Sequence, residues 1–156
     1  MSGSARYSGV ILAAGGGSRI RPLSFSYPKP MLPICNKPII QYQMESMIAL
    51  GIEEIIIVCG HLKEEFQKHF QDGKTLGVTL QYIEQEKPLG IAHALSKVEP
   101  HIQKPFLLFL GDILFITKDL HKMLDLFENR QACGVLAVKR ETEQEYIKRN
   151  FAVLLH

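Results

Sequence analysis

Apolar and polar positions follow two different spacings along the chain, and the changes between them predict its secondary structure. Six short stretches are rich in Val, Ile, Leu and Phe and are bounded by glycine, proline or charged residues, a pattern that is typical of strands. These stretches are residues 8–14, 53–60, 78–82, 106–110, 134–138 and 151–155. The first and the fourth are continuously apolar, which indicates strands that are covered on both faces of a parallel sheet.

Between the predicted strands, apolar residues recur at a spacing of three and four, which predicts amphipathic helices. These helices are expected at residues 38–50, 63–70, 91–98 and 120–127. Alternating strands and helices predict an α/β fold: a Rossmann-like, doubly wound, mostly parallel sheet flanked by helices. In such folds ligands bind beyond the carboxyl ends of the strands.

Residues 15–33 break both patterns, because they contain four prolines and three glycines and begin directly after the first predicted strand. Consecutive glycines let backbone N–H groups approach an oxyanion closely. Arg19 and Lys29 add a planar guanidinium and a mobile ammonium to the same segment, and the two together suit a polyphosphate. The alternative for both side chains is a solvated surface charge, whereas Arg21 is assigned a structural role.

Two common phosphate-binding motifs fail in this loop at the same residue. A dinucleotide fingerprint or a P-loop that begins at Gly15 would need glycine at the position of Ile20. The second strand also ends at Cys59-Gly60, without the acidic residue that holds a ribose in dinucleotide-binding proteins. A Rossmann dehydrogenase is therefore poorly supported, and a triphosphate loop remains.

Composition and charge limit the classes of protein to which the chain can belong. The 156 residues are 46% hydrophobic and can bury one core, so we expect a single domain at residues 8–156 after a disordered or foreign segment at residues 1–7. A net charge of +2 argues against a nucleic-acid partner or a membrane surface. Three widely spaced cysteines indicate buried thiols in a cytoplasmic protein and no metal cluster.

Two segments of the loop together resemble the signature of the sugar-1-phosphate nucleotidyltransferases. They are Leu-Ala-Ala-Gly-Gly-Gly-Ser-Arg at residues 12–19 with Pro22, and Pro-Lys-Pro-Met-Leu-Pro at residues 28–33. The similarity continues through residues 36–38, 51–52, 85–95 and 110–112. Glucose-1-phosphate thymidylyltransferases and uridylyltransferases resemble the chain most.

The resemblance implies a role for each matching residue. Arg19 and Lys29 would bind the phosphates of a nucleoside triphosphate and so act in catalysis, Gln85 would read the base, and Asp112 would bind Mg²⁺. The remaining nucleotide-binding positions would be Leu12, Ala13, Ala14, Gly15, Gly16, Pro88 and Gly90.

The chemistry of Gln85 and Asp112 agrees with these roles, although each has a simpler alternative. A carboxamide can donate to a pyrimidine oxygen and accept from its N3–H, but Gln85 could also be an exposed loop residue. A carboxylate at the end of a buried strand suits Mg²⁺, but Asp112 could also cap a turn or helix. Ile113 stands where relatives often have asparagine, so no polar side chain from that position assists Asp112.

The implied reaction is transfer of a nucleotidyl group from dTTP or UTP to a sugar 1-phosphate, with glucose 1-phosphate the expected sugar and pyrophosphate the second product. Members of the family continue into a segment that supplies the sugar pocket, a second lysine and a second metal-binding aspartate. We therefore expect the domain to be truncated before the sugar-binding part, and this chain to have little or no activity alone. The parent protein is expected to be a homo-oligomeric enzyme; the alternative is a non-catalytic regulatory or assembly module with the same fold.

Overall fold

The computed structural model describes residues 6–87, 89–138 and 142–145, and for Arg19 the backbone alone. The chain divides into two compact units, Met1–Phe115 and Ile116–His156. The strand predicted at residues 151–155 and most of the N-terminal segment predicted at residues 1–7 lie outside the described residues. Tyr7 is described and is buried. The predicted domain bounds stay a prediction.

The first unit alternates strands and helices as the apolar pattern predicts. Its elements are β1 (Ser8–Ala13), β2 (Pro33–Ile34), β3 (Lys37–Pro38), α1 (Ile39–Ala49), β4 (Glu54–Cys59), α2 (Lys63–Phe70), β5 (Thr79–Glu84), α3 (Ile91–Val98) and β6 (Phe106–Leu110). The described part of the second unit contains α4 (His121–Asn129). No helix among the described residues is both long enough and apolar enough to span a bilayer.

The main sheet has four parallel strands in the order β5-β4-β1-β6. The chain moves outward from β1 to β4 and β5, and then crosses to β6 on the other side of β1. The direction of winding therefore reverses between β1 and β6, where Leu12 pairs with Leu110. Ligands bind at such a reversal in open α/β sheets, so this edge is the expected place for a site.

Helices cover both faces of the sheet, which confirms the predicted fold class. On one face, Val10 and Val58 pack against Ala94 and Val98 of α3. On the other face α1 lies so close that a Cβ added at Gly9 would lie 2.6 Å from Sδ of Met47. Burial on both faces explains why the central strands β1 and β4 are almost continuously apolar, since neighbouring residues such as Val10 and Ile11 are both fully buried. At the edge strand β6, which was also predicted to be covered on both faces, Phe106 is 44% exposed.

The strand predicted at residues 134–138 is wrong. These residues pair with no described strand, and the side chains of Leu136 and Val138 are 77% and 57% exposed. An apolar run becomes a strand only where a neighbour supplies its hydrogen bonds, and the run alone cannot show whether that neighbour exists. Residues 15–33 agree with the predicted irregular loop up to β2, because they contain only three short 3₁₀ turns.

Candidate functional site

A pocket of about 430 Å³ lies beyond the carboxyl ends of β1, β5 and β6. It is lined by residues from the glycine-rich loop, from the segment after β5 and from the end of β6. Eight of the predicted site residues line it: Leu12, Ala13, Ala14, Gly15, Lys29, Gln85, Gly90 and Asp112. The fold thus brings together residues that are far apart in the sequence.

The glycines of the loop differ in what they do. Gly17 has φ of 56°, and a Cβ there would lie 2.8 Å from Cβ of Ser24, so this position is restricted to glycine by both conformation and space. Gly15 lines the pocket and has open space around it. Gly16 does not line the pocket; it borders a neighbouring cavity of about 10 Å³ together with Ser24.

Two of the predicted site residues, Arg19 and Pro88, lie partly or wholly outside the described part of the chain. The backbone of Arg19 lies in the 3₁₀ turn Ser18–Ile20, whose other two residues line the pocket, but the Arg19 side chain lies outside what the structure describes. Pro88 also lies outside the described residues. Their roles stay predictions.

At one end of the pocket, Lys29 and Asp112 form an ion pair. Lys29 Nζ donates to Asp112 Oδ2 at 2.7 Å, and the two side chains are 36% and 45% exposed. Lys29 begins the 3₁₀ turn Lys29–Met31, which is anchored by the buried Pro30 and Met31. The ammonium and the carboxylate are thus held together at the pocket, where each is still accessible to solvent.

Gln43 of α1 holds the backbone on either side of Asp112. The sequence did not predict this role. Its Nε2 donates to the carbonyl oxygens of Leu110 at 2.7 Å and Ile113 at 2.6 Å, the residues on either side of Gly111-Asp112. The side chain is 2% exposed, and its Oε1 is buried with no hydrogen-bond partner. A glutamine on the apolar face of a helix, three residues after Ile40, is the sequence feature that could have drawn attention to it.

At the other end of the pocket, Gln85 is held by backbone and side-chain contacts. Its backbone N–H donates to the carbonyl oxygen of Cys59 at 2.8 Å, and its side chain is buried. Nε2 lies 2.7 Å from Nδ1 of His93 on α3 and 3.4 Å from the carbonyl oxygen of Gly90. Gln85 is therefore not the exposed loop residue of the simpler alternative.

The cysteines differ from the expectation of buried thiols at two of three positions. Cys59 is buried, and burial raises the pKa of its thiol to about 12, so it stays protonated at neutral pH. Cys35 and Cys133 are exposed. Cys35 lies in the tight turn between β2 and β3 and has φ of 49°. Its side chain is exposed because this turn places it outside the core.

The carboxylate of Asp112 is a donor that would suit a magnesium ion. Asp112 is the only carboxylate among the described residues that line the pocket. Within the described part of the chain, no three side chains of His, Cys, Asp or Glu converge on one point. Mg²⁺ is commonly held by one or two carboxylates together with phosphate oxygens and water, so a single carboxylate is sufficient on the protein side.

Comparison with known proteins identifies the family of the chain and agrees with its fold. The family model described as nucleotidyl transferase matches residues 8–149, and the chain belongs to this family. It is 42% identical over 106 residues to a UTP–glucose-1-phosphate uridylyltransferase of Haloferax volcanii, covering 68% of this chain and 43% of that protein. It is 34% identical over 104 residues to a glucose-1-phosphate thymidylyltransferase of Streptomyces antibioticus, covering 66% of this chain and 29% of that protein.

A solved structure is similar as well. The structure of a UDP-glucose pyrophosphorylase complexed with UDP-glucose matches with a TM-score of 0.72 and 30% identity, over 80% of this chain and 54% of that chain. The chain thus spans about half of that structure, and less than half of the two curated relatives. The resemblance to sugar-1-phosphate nucleotidyltransferases is confirmed.

Proposed function

We propose that this chain is the nucleotide-binding portion of an enzyme that transfers a nucleotidyl group from dTTP or UTP to a sugar 1-phosphate, with glucose 1-phosphate the expected sugar. One observation carries the proposal. Lys29, Gln85 and Asp112 come from three separate segments and line one pocket at the point where the sheet reverses its winding. The names of the relatives support the substrate class, and the resemblance also supports a cytoplasmic homo-oligomer for the full-length protein.

The two ends of the pocket suit the two ends of a nucleoside triphosphate. The base would lie at Gln85, and the phosphates would follow the glycine-rich loop toward Lys29. The arriving triphosphate would replace Asp112 as the partner of the Lys29 ammonium, which then neutralises phosphate charge. Arg19 is proposed for the same role on the basis of the resemblance alone.

The reaction needs no nucleophile from the protein. An oxygen of the sugar phosphate attacks the α-phosphorus, the bond to the bridging oxygen breaks, and pyrophosphate leaves with that electron pair. Positioning and charge neutralisation by this chain's loop and Lys29 are the main contributions in such transfers. The buried, protonated Cys59 thiol is not required.

Asp112 is proposed as the protein ligand of Mg²⁺. When bound, the ion would neutralise phosphate oxygens and align the triphosphate. The Asp112 side chain is 45% exposed, so a hydrated cation can reach its carboxylate and replace the Lys29 ammonium as its partner.

Binding and turnover measurements test the proposal at two levels. Calorimetric titration of the 156-residue chain with UTP or dTTP and Mg²⁺ should give weak binding, and pyrophosphate release with glucose 1-phosphate should be slow or absent. The full-length protein should turn over briskly in the same assay. Absence of nucleotide binding by the full-length protein would reject the proposal and favour a non-catalytic module.

A further inference from the structure

The neighbours of the Gln85 side-chain amide determine which of its two terminal atoms is the oxygen and which is the nitrogen. Its Nε2 lies beside two atoms, the carbonyl oxygen of Gly90 at 3.4 Å and Nδ1 of His93 at 2.7 Å. A carbonyl oxygen can only accept, so the amide atom that faces it has to be the NH₂ group. The same NH₂ group then faces His93, whose Nδ1 has to be the acceptor. Nδ1 can accept in the imidazole tautomer whose proton lies on Nε2.

We propose that His93 is a positioning residue that sets the base selectivity of the pocket. By accepting from Gln85 Nε2, it leaves Oε1 as the amide atom that is available to a ligand, and this oxygen can only accept. Uracil and thymine carry an N3–H donor at the edge that such an oxygen would read, whereas cytosine carries an unprotonated N3. The inference rests on the proposed function, because that function places the base at Gln85.

Burial makes this orientation effective. The Gln85 side chain is 3% exposed, so water cannot replace a partner that is lost or reversed. His93 itself does not belong to the residues that line the pocket, so it acts through Gln85 and not by touching the nucleotide. Without the Nδ1 acceptor, only the long contact to Gly90 would hold the amide, which could then turn over and present Nε2.

The chain offers a matched control for the substitution of His93. Gln81 Nε2 lies 2.8 Å from Nδ1 of His101, a pair of the same chemistry that is exposed and does not line the pocket. His93→Phe removes the acceptor and keeps an aromatic ring. His93→Asn restores an acceptor, since Oδ1 occupies the place of Nδ1. His101→Phe removes the same kind of bond outside the pocket.

The experiment is a calorimetric titration of the wild-type chain and the three variants with UTP and with CTP. We expect the wild type to prefer UTP by about tenfold or more, a preference that His93→Phe largely removes and that His93→Asn and His101→Phe keep. UTP binding with an unchanged UTP/CTP ratio in His93→Phe would overturn the inference alone. A wild-type chain that binds neither UTP nor dTTP would reject the proposed function and the inference together.

A second measurement does not depend on the folding of a variant. Long-range ¹H–¹⁵N spectra of the free wild-type protein distinguish the two neutral tautomers of histidine. We expect the proton of His93 on Nε2. A proton on Nδ1 would overturn the inference, because Gln85 Nε2 could not then donate to it.

Discussion

A pair of side chains is found at each end of the pocket, although His93 contacts Gln85 from outside the pocket lining, and the two pairs differ in charge and in burial. Gln85 is buried and its Nε2 lies 2.7 Å from Nδ1 of His93, whereas Lys29 and Asp112 form an ion pair whose side chains are 36% and 45% exposed. Exposed ion pairs contribute about 0–1 kcal/mol, while an orphaned buried polar group costs about 1–3 kcal/mol. The amide at the Gln85 end is therefore held in place before a ligand arrives, whereas the ion pair at the Lys29 end is a contact that a ligand can easily replace.

The largest effect on this contrast is expected from Lys29→Met. Loss of a hydrogen bond to a charged phosphate corresponds to about 1.5–3 kcal/mol, so UTP affinity should fall about ten- to a hundredfold. Stability should change little, because the ion pair that is lost is exposed. Calorimetry and urea unfolding measure the two quantities. Lys74→Met is the control, since it breaks the exposed pair with Asp72; equal losses of affinity in both variants would contradict the proposed role of Lys29.

The backbone that carries Asp112 is held by the buried Gln43 side chain, and Gln43→Met removes these hydrogen bonds. The carbonyl oxygens of Leu110 and Ile113 would lose their donor, which should lower the free energy of unfolding by about 2 kcal/mol. Urea unfolding measures this change. Gln41→Met on the same helix removes only a half-buried contact to Glu45 and should cost less; an equal cost would show that Gln43 has no special supporting role.

A smaller effect on UTP affinity is expected from Asp112→Asn, and its direction depends on whether Mg²⁺ is present. Without Mg²⁺, UTP should bind a few-fold more tightly, about two- to fivefold, because the Lys29 ammonium no longer has to leave a carboxylate. With Mg²⁺, the gain that the wild type shows should disappear, because the proposed ligand is lost. Titrations with and without the ion separate the two effects. A variant that keeps the full Mg²⁺ gain would exclude Asp112 as the metal ligand.

The smallest effect on nucleotide binding is expected at Cys59, whose carbonyl oxygen accepts from the backbone N–H of Gln85. Burial raises the pKa of its thiol to about 12, so in the folded protein it should not react with a thiol reagent at pH 8, unlike the exposed Cys35 and Cys133. Above pH 9 the unfolded chain releases this proton and the folded chain keeps it, so the free energy of unfolding should fall as pH rises toward 12. Mass spectrometry after labelling identifies the thiols that react; rapid native labelling of Cys59 would contradict this assignment.

The four strands of the main sheet and the three helices of residues 8–110 could be read from the sequence, because each apolar spacing follows from burial against the sheet. The short hairpin β2–β3 was not predicted, since its four residues include two prolines and show no apolar alternation. The pairs at the two ends of the pocket could not be read from the sequence, since hydropathy contains no information on which distant side chains meet. Gln43 is one polar residue in an apolar helix face, and its two acceptors lie 67 and 70 positions away. Residues 134–138 show the opposite error, because strand composition does not guarantee a strand partner.

The separation of Lys29 and Asp112 by 83 positions has a consequence for how the protein is made. β1 leaves the ribosome first and β6 is the last of the four parallel strands to leave it, yet the two are direct neighbours in the sheet. Contacts between such distant segments form slowly, after the loop entropy between them has been overcome. The pocket therefore cannot form before β6 has docked on β1, and nucleotide added to nascent chains would stabilise only those that already extend beyond residue 112.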